Sequence, residues 1–175
     1  MIKNLLAAYD GSDNGRRALD VAAELAKSLD AKLVIVHVLM QGRPAKELAR
    51  MAEIEHLVSS VPETDTPDFV PSGRTPYDFL AASRSEGKSM RLIAALGEQL
   101  TTYAKNRSEE LGARHVETIV LDGDFADEIL EAADAHMTDM IVMGSRGLGT
   151  VRSAVLGSVS QKVLHSATQI VVTVK

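Results

Sequence analysis

Short apolar runs alternate along this 175-residue chain with longer segments whose apolar residues recur at helical spacing. A continuous apolar run of roughly four to eight residues is typical of a strand buried on both faces of a parallel sheet. The longer segments are typical of amphipathic helices that cross over from one parallel strand to the next. We therefore expect an α/β fold, a three-layer sandwich with a five-stranded, mostly parallel sheet.

The strands of this sheet are predicted over residues 5–9, 33–38, 115–121, 140–143 and 170–174. Ser12 or Asp13 is expected to cap a helix between the first two strands, because a side-chain oxygen can accept a bond from a first-turn amide. The crossover of this βαβ unit should be right-handed.

Three further helices are predicted in the second half of the chain. The longest should run from about residue 91 to 111, with Tyr103 on its inward face. The next is capped by Asp124 and is predicted to direct Met137 toward the core. A final short helix is expected over residues 158–166.

Residues 40–90 interrupt the alternation. A helix is predicted over residues 45–59, and four of the five prolines follow it between positions 62 and 76. Proline lacks the N–H group that helices and sheets use, so a continuous element is not expected there. We therefore predict a single domain over residues 1–175 with a variable surface excursion, or lid, at about 40–90.

The composition excludes several classes of function. The absence of cysteine excludes disulfide frameworks, thiolate metal sites and thiol catalysis. A net charge of −5, with three phenylalanines and three tyrosines, disfavours nucleic-acid binding. No apolar run approaches the roughly 20 residues of a membrane span, and the first residues lack a signal-peptide pattern. We expect a soluble, cytoplasmic protein without membrane insertion.

Catalytic and metal-binding patterns are also missing. The five histidines are not paired at a spacing typical of metal ligands, and His37 is predicted to be a hydrogen-bonded core residue. Ser158 and Ser160 lack the Gly-x-Ser-x-Gly pattern of a serine hydrolase. We therefore assign no catalytic residue.

Two predicted strands end in segments suited to a ligand. Asp10-Gly11-Ser12 follows the first strand, and a glycine-rich run at residues 144–149 follows the fourth. Ligands of open parallel sheets bind outside the carboxyl ends of strands, where the strand order reverses. We therefore expect the two segments to meet in one site.

The glycine-rich segment has the features of an anion site. Glycines let consecutive backbone N–H groups face a ligand without an intervening Cβ. Gly157-Ser158, at the start of the last helix, adds free amides, hydroxyls and the positive end of the helix dipole. Arg146 and Arg152 carry further positive charge.

Asp10 and Val38 suit other parts of such a ligand. A carboxylate repels phosphate, so Asp10 is expected to bond a ribose hydroxyl or to hold a divalent ion. Val38, at the end of the second strand, would line an apolar slot for a base.

The small residues also resemble a known signature. Glycine, two residues, glycine, nine residues, then Gly-Ser or Gly-Thr is typical of the ATP-binding subgroup of the universal stress protein family. Gly144, Gly147, Gly157 and Ser158 match this spacing without a gap. The resemblance extends to residues 9–12, 33–38 and 123–139. It implies an adenine nucleotide alpha hydrolase-like, Rossmann-like fold.

The resemblance implies a role for each matching residue. Asp10 should bond the adenine or the ribose, and the Val38 backbone should pair with the adenine edge. Ala8 and Tyr9 take the place of residues that flank the base. The residues expected around the ribose and phosphates are Met143, Gly144, Arg146, Gly147, Gly157, Ser158, Val159 and Ser160.

The implied ligand is ATP, with AMP or ADP as alternatives, accompanied by Mg²⁺ held through the phosphates and weakly by Asp10. The last strand, Ile170–Val174, resembles the edge through which the family pairs into homodimers. A regulatory protein partner is also implied.

Three functions from different classes fit these residues. The leading one is an ATP-binding regulatory protein of the stress response, which signals nucleotide state through dimerisation and partner binding. The alternatives are a slow ATPase or nucleotidyl-transfer enzyme, and a nucleotide-free interaction module. The chain lacks a Gly-x-x-x-x-Gly-Lys-Ser/Thr segment, a Ser-Gly-Gly-type loop after the first strand and an evident general base. Binding without efficient turnover is therefore favoured.

Overall fold

Five strands and four helices make up the part of the chain that the computed structural model describes, residues 1–40, 86–148 and 156–175. The strands are β1 (Asn4–Ala8), β2 (Lys32–Met40), β3 (His115–Gly123), β4 (Met140–Gly144) and β5 (Ile170–Val174). The helices are α1 (Asp13–Leu29), α2 (Glu86–Glu110), α3 (Phe125–Ala135) and α4 (Ser158–Ser166). The helix predicted over residues 45–59, and most of the excursion at 40–90, lie outside the described residues.

The strands form one sheet in the order β3-β2-β1-β4-β5. Each of the four neighbouring pairs is parallel. The predicted α/β fold with a five-stranded parallel sheet is therefore confirmed. Because the chain moves from β1 toward β3 on one side and toward β5 on the other, the strand order reverses between β1 and β4.

Helices cover both faces of the sheet. Alternate residues of β1 face opposite sides, so that Leu5 and Ala7 pack with α1 and α2 while Leu6 packs with α3 and α4. These side chains are almost fully buried. The two layers of apolar contacts fix the register of the central strands and hence the position of the strand ends.

Polar side chains start two of the helices as predicted. Ser12 Oγ accepts a hydrogen bond from the Gly15 amide at 3.0 Å and caps α1. Asp124 Oδ1 accepts from the amides of Ala126 and Asp127, both at 3.2 Å, and caps α3. Each cap satisfies amides that have no partner within their own helix.

Two predicted core residues are exposed instead. Tyr103 of α2 is 43% exposed, because it lies beside polar side chains of α1 rather than over the sheet. Met137 is 78% exposed. It follows the end of α3 and has a φ of 49°, so the helical periodicity that predicted an inward position has already ended.

None of the four described helices combines the length and apolar character that a bilayer span requires.

Candidate functional site

A cavity of about 570 Å³ opens where β1, β2 and β4 end and α3 and α4 begin. This is the edge of the sheet at which parallel α/β folds bind ligands, and it includes the point where the strand order reverses. Its volume lies within the roughly 300–1,000 Å³ typical of small-molecule sites.

The cavity brings together all the predicted site residues that lie within the described part of the chain. Those residues are Ala8, Tyr9, Asp10, Val38, Met143, Gly144, Arg146, Gly147, Gly157, Ser158, Val159 and Ser160. They come from the ends of β1, β2 and β4 and from the start of α4, so the sheet topology makes neighbours of residues that are distant in sequence. Arg152 lies outside the described residues.

Further lining residues escaped the sequence analysis. They are Val36, His37, Phe125, Ile129, Leu148, Leu156 and Gln161. Phe125 and Ile129 stand in the first turns of α3, directly after the Asp124 cap. Since that helix follows β3 at the same edge of the sheet, its capped start was a usable signal for them.

One wall of the cavity is aliphatic and aromatic. Val36, Val38 and Met143 are each at most 6% exposed and face the helix layer of α3 and α4. Phe125 and Ile129 close the wall from the side of α3. Such a wall suits a flat apolar group, which it would hold by van der Waals contact and removal of water.

Asp10 is held rigidly between this wall and the glycine-rich segment at the end of β4, residues 144–148, which we call the glycine loop. Its Oδ1 accepts hydrogen bonds from the Ser12 amide at 3.0 Å and from Ser12 Oγ at 2.7 Å. Gly11 makes the turn between them with a φ of 80°, which glycine adopts without strain. A carboxylate fixed in this way accepts hydrogen bonds from a ligand without having to reorganise.

The glycine loop passes directly over that carboxylate. A Cβ added to Gly147 would collide with Asp10 Oδ2. The absence of a side chain at position 147 is therefore what allows the loop after β4 to approach the end of β1. This contact joins the two segments that the sequence predicted to meet.

Ser145 holds the glycine loop in place through four hydrogen bonds. Its carbonyl oxygen accepts from the Gly157 amide and from Ser160 Oγ, both at 2.8 Å, and its amide donates to the Val174 carbonyl at 2.6 Å. Asn14 Nδ2 donates to Ser145 Oγ at 3.2 Å. Ser145 is 1% exposed and escaped the sequence analysis, although it stands inside the glycine motif.

The start of α4 contributes backbone donors to the cavity. Gly157 caps this helix without any side-chain hydrogen bond, and Ser158, Val159 and Ser160 form its first turn. First-turn amides have no partner within a helix, and the helix dipole makes this end positive. The Ser160 hydroxyl is already bonded to the Ser145 and Gly157 carbonyls, so Ser160 offers its amide to a ligand.

Tyr9 contributes its backbone rather than its ring. Its side chain is 2% exposed and packs in the core on the α1 and α2 side of the sheet. The Tyr9 carbonyl oxygen lies 2.8 Å from His37 Nδ1, so His37 is a hydrogen-bonded core residue as predicted. The alternation of β1 directs the ring to the opposite face, so Tyr9 can flank a base only through its backbone, and that role stays a prediction.

An ion-pair bridge joins the two helices at the rim of the cavity. Lys162 Nζ of α4 lies 3.1 Å from Asp124 Oδ1 and 2.7 Å from Asp127 Oδ1 of α3. The hydrogen bond from Lys162, together with the backbone amide of Asp127, lowers the pKa of Asp124. The bridge holds together the helix starts that form the cavity.

The described residues contain no cluster of three or more histidine and carboxylate side chains that could hold a metal ion. Asp10 is the carboxylate at the cavity, and one of its oxygens already accepts two hydrogen bonds. A divalent ion here would therefore depend on oxygens supplied by the ligand.

Comparison with known proteins identifies related chains. The model of the universal stress protein family matches residues 1–175. The universal stress protein YxiE of Bacillus subtilis is 34% identical over 168 residues, which cover 96% of this chain and 95% of the relative. A universal stress protein of Thermus aquaticus is 33% identical over 170 residues, which cover 95% and 94%.

Solved structures share the fold. The universal stress protein UspA of Lactobacillus plantarum has a TM-score of 0.69 at 18% identity, covering 99% of this chain and 98% of that one. Two other neighbours are a universal stress protein in complex with cAMP, with a TM-score of 0.63 and 23% identity, and an Arabidopsis thaliana family member with AMP bound, with 0.58 and 22%. With its whole length matched by the family model, this chain belongs to the universal stress protein family.

Proposed function

We propose that the cavity binds an adenine nucleotide, with ATP as the leading ligand and AMP or ADP as alternatives. The observation that carries the proposal is the composition of the cavity, which combines an apolar wall, a fixed carboxylate and a row of backbone donors. These three features correspond to the base, the sugar and the phosphates of a nucleotide. The neighbours solved with cAMP and AMP support the same ligand class.

Each part of the cavity has a distinct task in this proposal. The wall of Val38, Met143 and Phe125 covers the base, and the backbone of Val38 recognises the adenine edge. Asp10 accepts a hydrogen bond from a ribose hydroxyl. The amides of the glycine loop and of the first turn of α4 donate to phosphate oxygens, and Arg146 adds positive charge.

Mg²⁺ would accompany a nucleotide with two or three phosphates and neutralise part of their charge. Asp10 is its candidate protein ligand, through the oxygen that does not bond Ser12. Since the described residues supply no cluster of carboxylates, phosphate oxygens would provide most of the coordination.

We propose binding without efficient turnover, which makes nucleotide occupancy a signal. Asp10 is the cavity's candidate for a general base, and its carboxylate is committed to Ser12 and packed against Gly147. A general base must reach the attacking water, which these contacts oppose. Slow hydrolysis or nucleotidyl transfer is the alternative activity.

The nucleotide-bound state would be signalled to other molecules through an interface at β5. This strand is at the edge of the described sheet, and Ile170 at its start is 52% exposed. An edge strand with exposed apolar residues is suited to pair with a second copy. We propose a homodimer through Ile170–Val174, a regulatory protein partner and a cytoplasmic location. The Ser145–Val174 hydrogen bond links the glycine loop to this edge.

The decisive experiment identifies the copurifying nucleotide. Protein purified without added nucleotide is heat-denatured, and the supernatant is separated by ion-pair chromatography. We expect an adenine nucleotide at a substantial fraction of the protein concentration. Calorimetric titrations of stripped protein with ATP and AMP, each with and without Mg²⁺, then rank the ligands.

A nucleotide-free supernatant, together with no heat of binding for either nucleotide, would contradict the proposal. The nucleotide-free interaction module would then be the remaining candidate function. Turnover faster than about 1 s⁻¹, which is within the ordinary enzyme range, would instead establish the enzymatic alternative. Light scattering with and without the bound nucleotide tests the homodimer in the same preparations.

A further inference from the structure

Gln161 lines the cavity at the strand ends from α4, and it is exposed where the cavity opens to solvent. Its backbone N–H already donates to the Gly157 carbonyl at 2.9 Å, so this group is not available to a ligand. Its side-chain amide has no hydrogen-bond partner among the described residues. Any hydrogen bond that Gln161 donates to a ligand therefore comes from its side chain.

Other polar side chains that line the same cavity already have partners within the protein. Asp10 Oδ1 accepts two hydrogen bonds from Ser12, and the Ser160 hydroxyl donates to backbone carbonyls. His37 Nδ1 lies 2.8 Å from the Tyr9 carbonyl oxygen. The Gln161 amide differs from them, because both its N–H donors and its oxygen are left for a ligand.

The lysine next to Gln161 does not offer a free positive charge. Lys162 Nζ lies 2.7 Å from Asp127 Oδ1 and 3.1 Å from Asp124 Oδ1, so two carboxylates share one ammonium group. This bridge carries one negative charge in excess, which would repel a phosphate. The donor that a phosphate meets on this part of α4 is therefore the neutral amide of Gln161.

The position of Gln161 on α4 indicates which part of a ligand it meets. Ser158 and Gln161 are three positions apart, so they are neighbours on one helix face, and both line the cavity. Gln161 therefore extends the row of donors at the start of α4 by about one helical turn. A phosphate chain that begins at the first-turn amides reaches Gln161 only with its last phosphate.

We propose that Gln161 determines specificity, because its side-chain amide donates to the terminal phosphate of a nucleoside triphosphate and selects it over the monophosphate. The inference rests on the proposed function, since it requires a nucleotide in this cavity. The single phosphate of AMP is held by the glycine loop and the first-turn amides and ends short of Gln161. A hydrogen bond to a charged group is stronger than one between neutral groups, so one amide is enough for a measurable preference.

The test is a set of calorimetric titrations with ATP and AMP at one Mg²⁺ concentration and one ionic strength. Wild type is compared with Gln161→Met, which keeps the length of the side chain without its donors, and with Gln161→Glu, which replaces the donors by a carboxylate. Gln169→Met is the matched control, because this glutamine bonds Asp134 and lies outside the cavity.

We expect Gln161→Met to weaken ATP binding by about tenfold and to change AMP binding by less than about twofold. Gln161→Glu should weaken ATP binding further, and this additional loss should shrink as the salt concentration rises. In isotope-labelled wild type, the side-chain NH₂ signals of Gln161 should shift with ATP but not with AMP. These signals keep the proposal testable should a variant fail to fold.

Three outcomes would overturn this inference and leave the proposed function standing. Equal losses of ATP and AMP affinity would place the amide at the base or the sugar. Unchanged ATP affinity in both variants would show that Gln161 does not contact the ligand. ATP binding by Gln161→Glu as tight as in wild type would mean that the side chain accepts rather than donates. Wild type that binds neither nucleotide would instead overturn the proposed function, and this inference with it.

Discussion

Two cavities of the molecule are built from different groups. One is the cavity proposed to bind a nucleotide, called the nucleotide cavity below, and the other lies between α1 and α2 and is called the α1–α2 cavity. The nucleotide cavity uses aliphatic side chains, glycines and backbone amides, whereas the α1–α2 cavity uses arginines, aspartates and a phenol. A site made of backbone depends on how closely two segments approach each other. A site made of charged side chains depends on individual residues and on screening by salt. The first should lose its shape when a Cβ is inserted, and the second when one partner of an ion pair is removed.

The largest effect is expected from Gly147→Val, which tests the dependence of the nucleotide cavity on close approach. The new side chain would collide with the Asp10 carboxylate and push the loop away from the end of β1. We expect nucleotide affinity to fall about 100-fold or more, equivalent to roughly 2.7 kcal/mol. Calorimetric titration measures the loss.

Gly97→Ala is the matched control, because the added Cβ on α2 would make ordinary contacts of 3.4 Å or more and lies outside the nucleotide cavity. It should bind nucleotide as the wild type does. Normal nucleotide binding by Gly147→Val would mean that the site is not built on this contact.

A second pair of variants separates stability from binding. A Cβ at Gly144 would lie 3.0 Å from backbone atoms of Asn14, Gly15 and Arg146, which cannot rotate away. We expect Gly144→Ala to lower the free energy of unfolding by about 1–3 kcal/mol, as overpacking typically does. A Cβ at Gly157 meets nothing closer than 3.4 Å, so Gly157→Ala should fold normally and lose affinity alone.

Urea denaturation and nucleotide titration of both variants check this pair. Equal destabilisation by the two alanines would contradict the difference in their surroundings. Unchanged affinity in Gly157→Ala would remove the start of α4 from the proposed phosphate site.

The smallest effect is expected on stability, from the ion-pair bridge between Lys162 and Asp124 at the rim of the nucleotide cavity. Asp124→Ala removes the cap of α3 and the partner of Lys162, and should cost about 1 kcal/mol of unfolding free energy near neutral pH. The pKa of Asp124 is lowered in the folded state, so its contribution is present above the unfolded value of about 3.9. It is lost as the pH falls through the folded-state pKa.

Urea denaturation of wild type and Asp124→Ala across this acid range should therefore give curves that converge at low pH. Asp134→Ala, at another exposed aspartate of α3 outside the cap, controls for loss of charge. A difference that stays constant down to the acid limit would show that the lowered pKa contributes nothing to stability.

Local chemistry made the lining of the nucleotide cavity predictable. Gly144, Gly147, Gly157 and Ser158 lie from the end of a strand to the start of the helix that follows it, where glycines let backbone N–H groups face a ligand. Asp10 ends an apolar run. Parallel strands end at a common edge, so these residues could be placed together without coordinates. Whether each one contacts a nucleotide stays a prediction.

Tertiary contacts account for what the sequence did not show. Phe125 and Ile129 reach the cavity because α3 packs over β2. The Asp124 cap indicates where α3 begins, but not on which strand the helix packs. Ser145 acts through bonds to Gly157 and Val174 that require the folded loop. The α1–α2 cavity depends on Asp20 and Arg107, which are 87 positions apart and look like ordinary surface charges in the sequence. The orientation of the Tyr9 ring, by contrast, follows from strand alternation and could have been predicted.

The backbone donors of the glycine loop and of α4 have an evolutionary consequence. A main-chain N–H is present whatever side chain the residue carries, so neighbouring positions can drift in sequence while the donors stay in place. Ser158, whose side chain is exposed and whose proposed contribution is its amide, should vary freely among small residues. Gly147 has no such freedom, because a Cβ at this position would collide with the Asp10 carboxylate. Descendants of this chain should therefore keep their glycines long after the residues between them have changed.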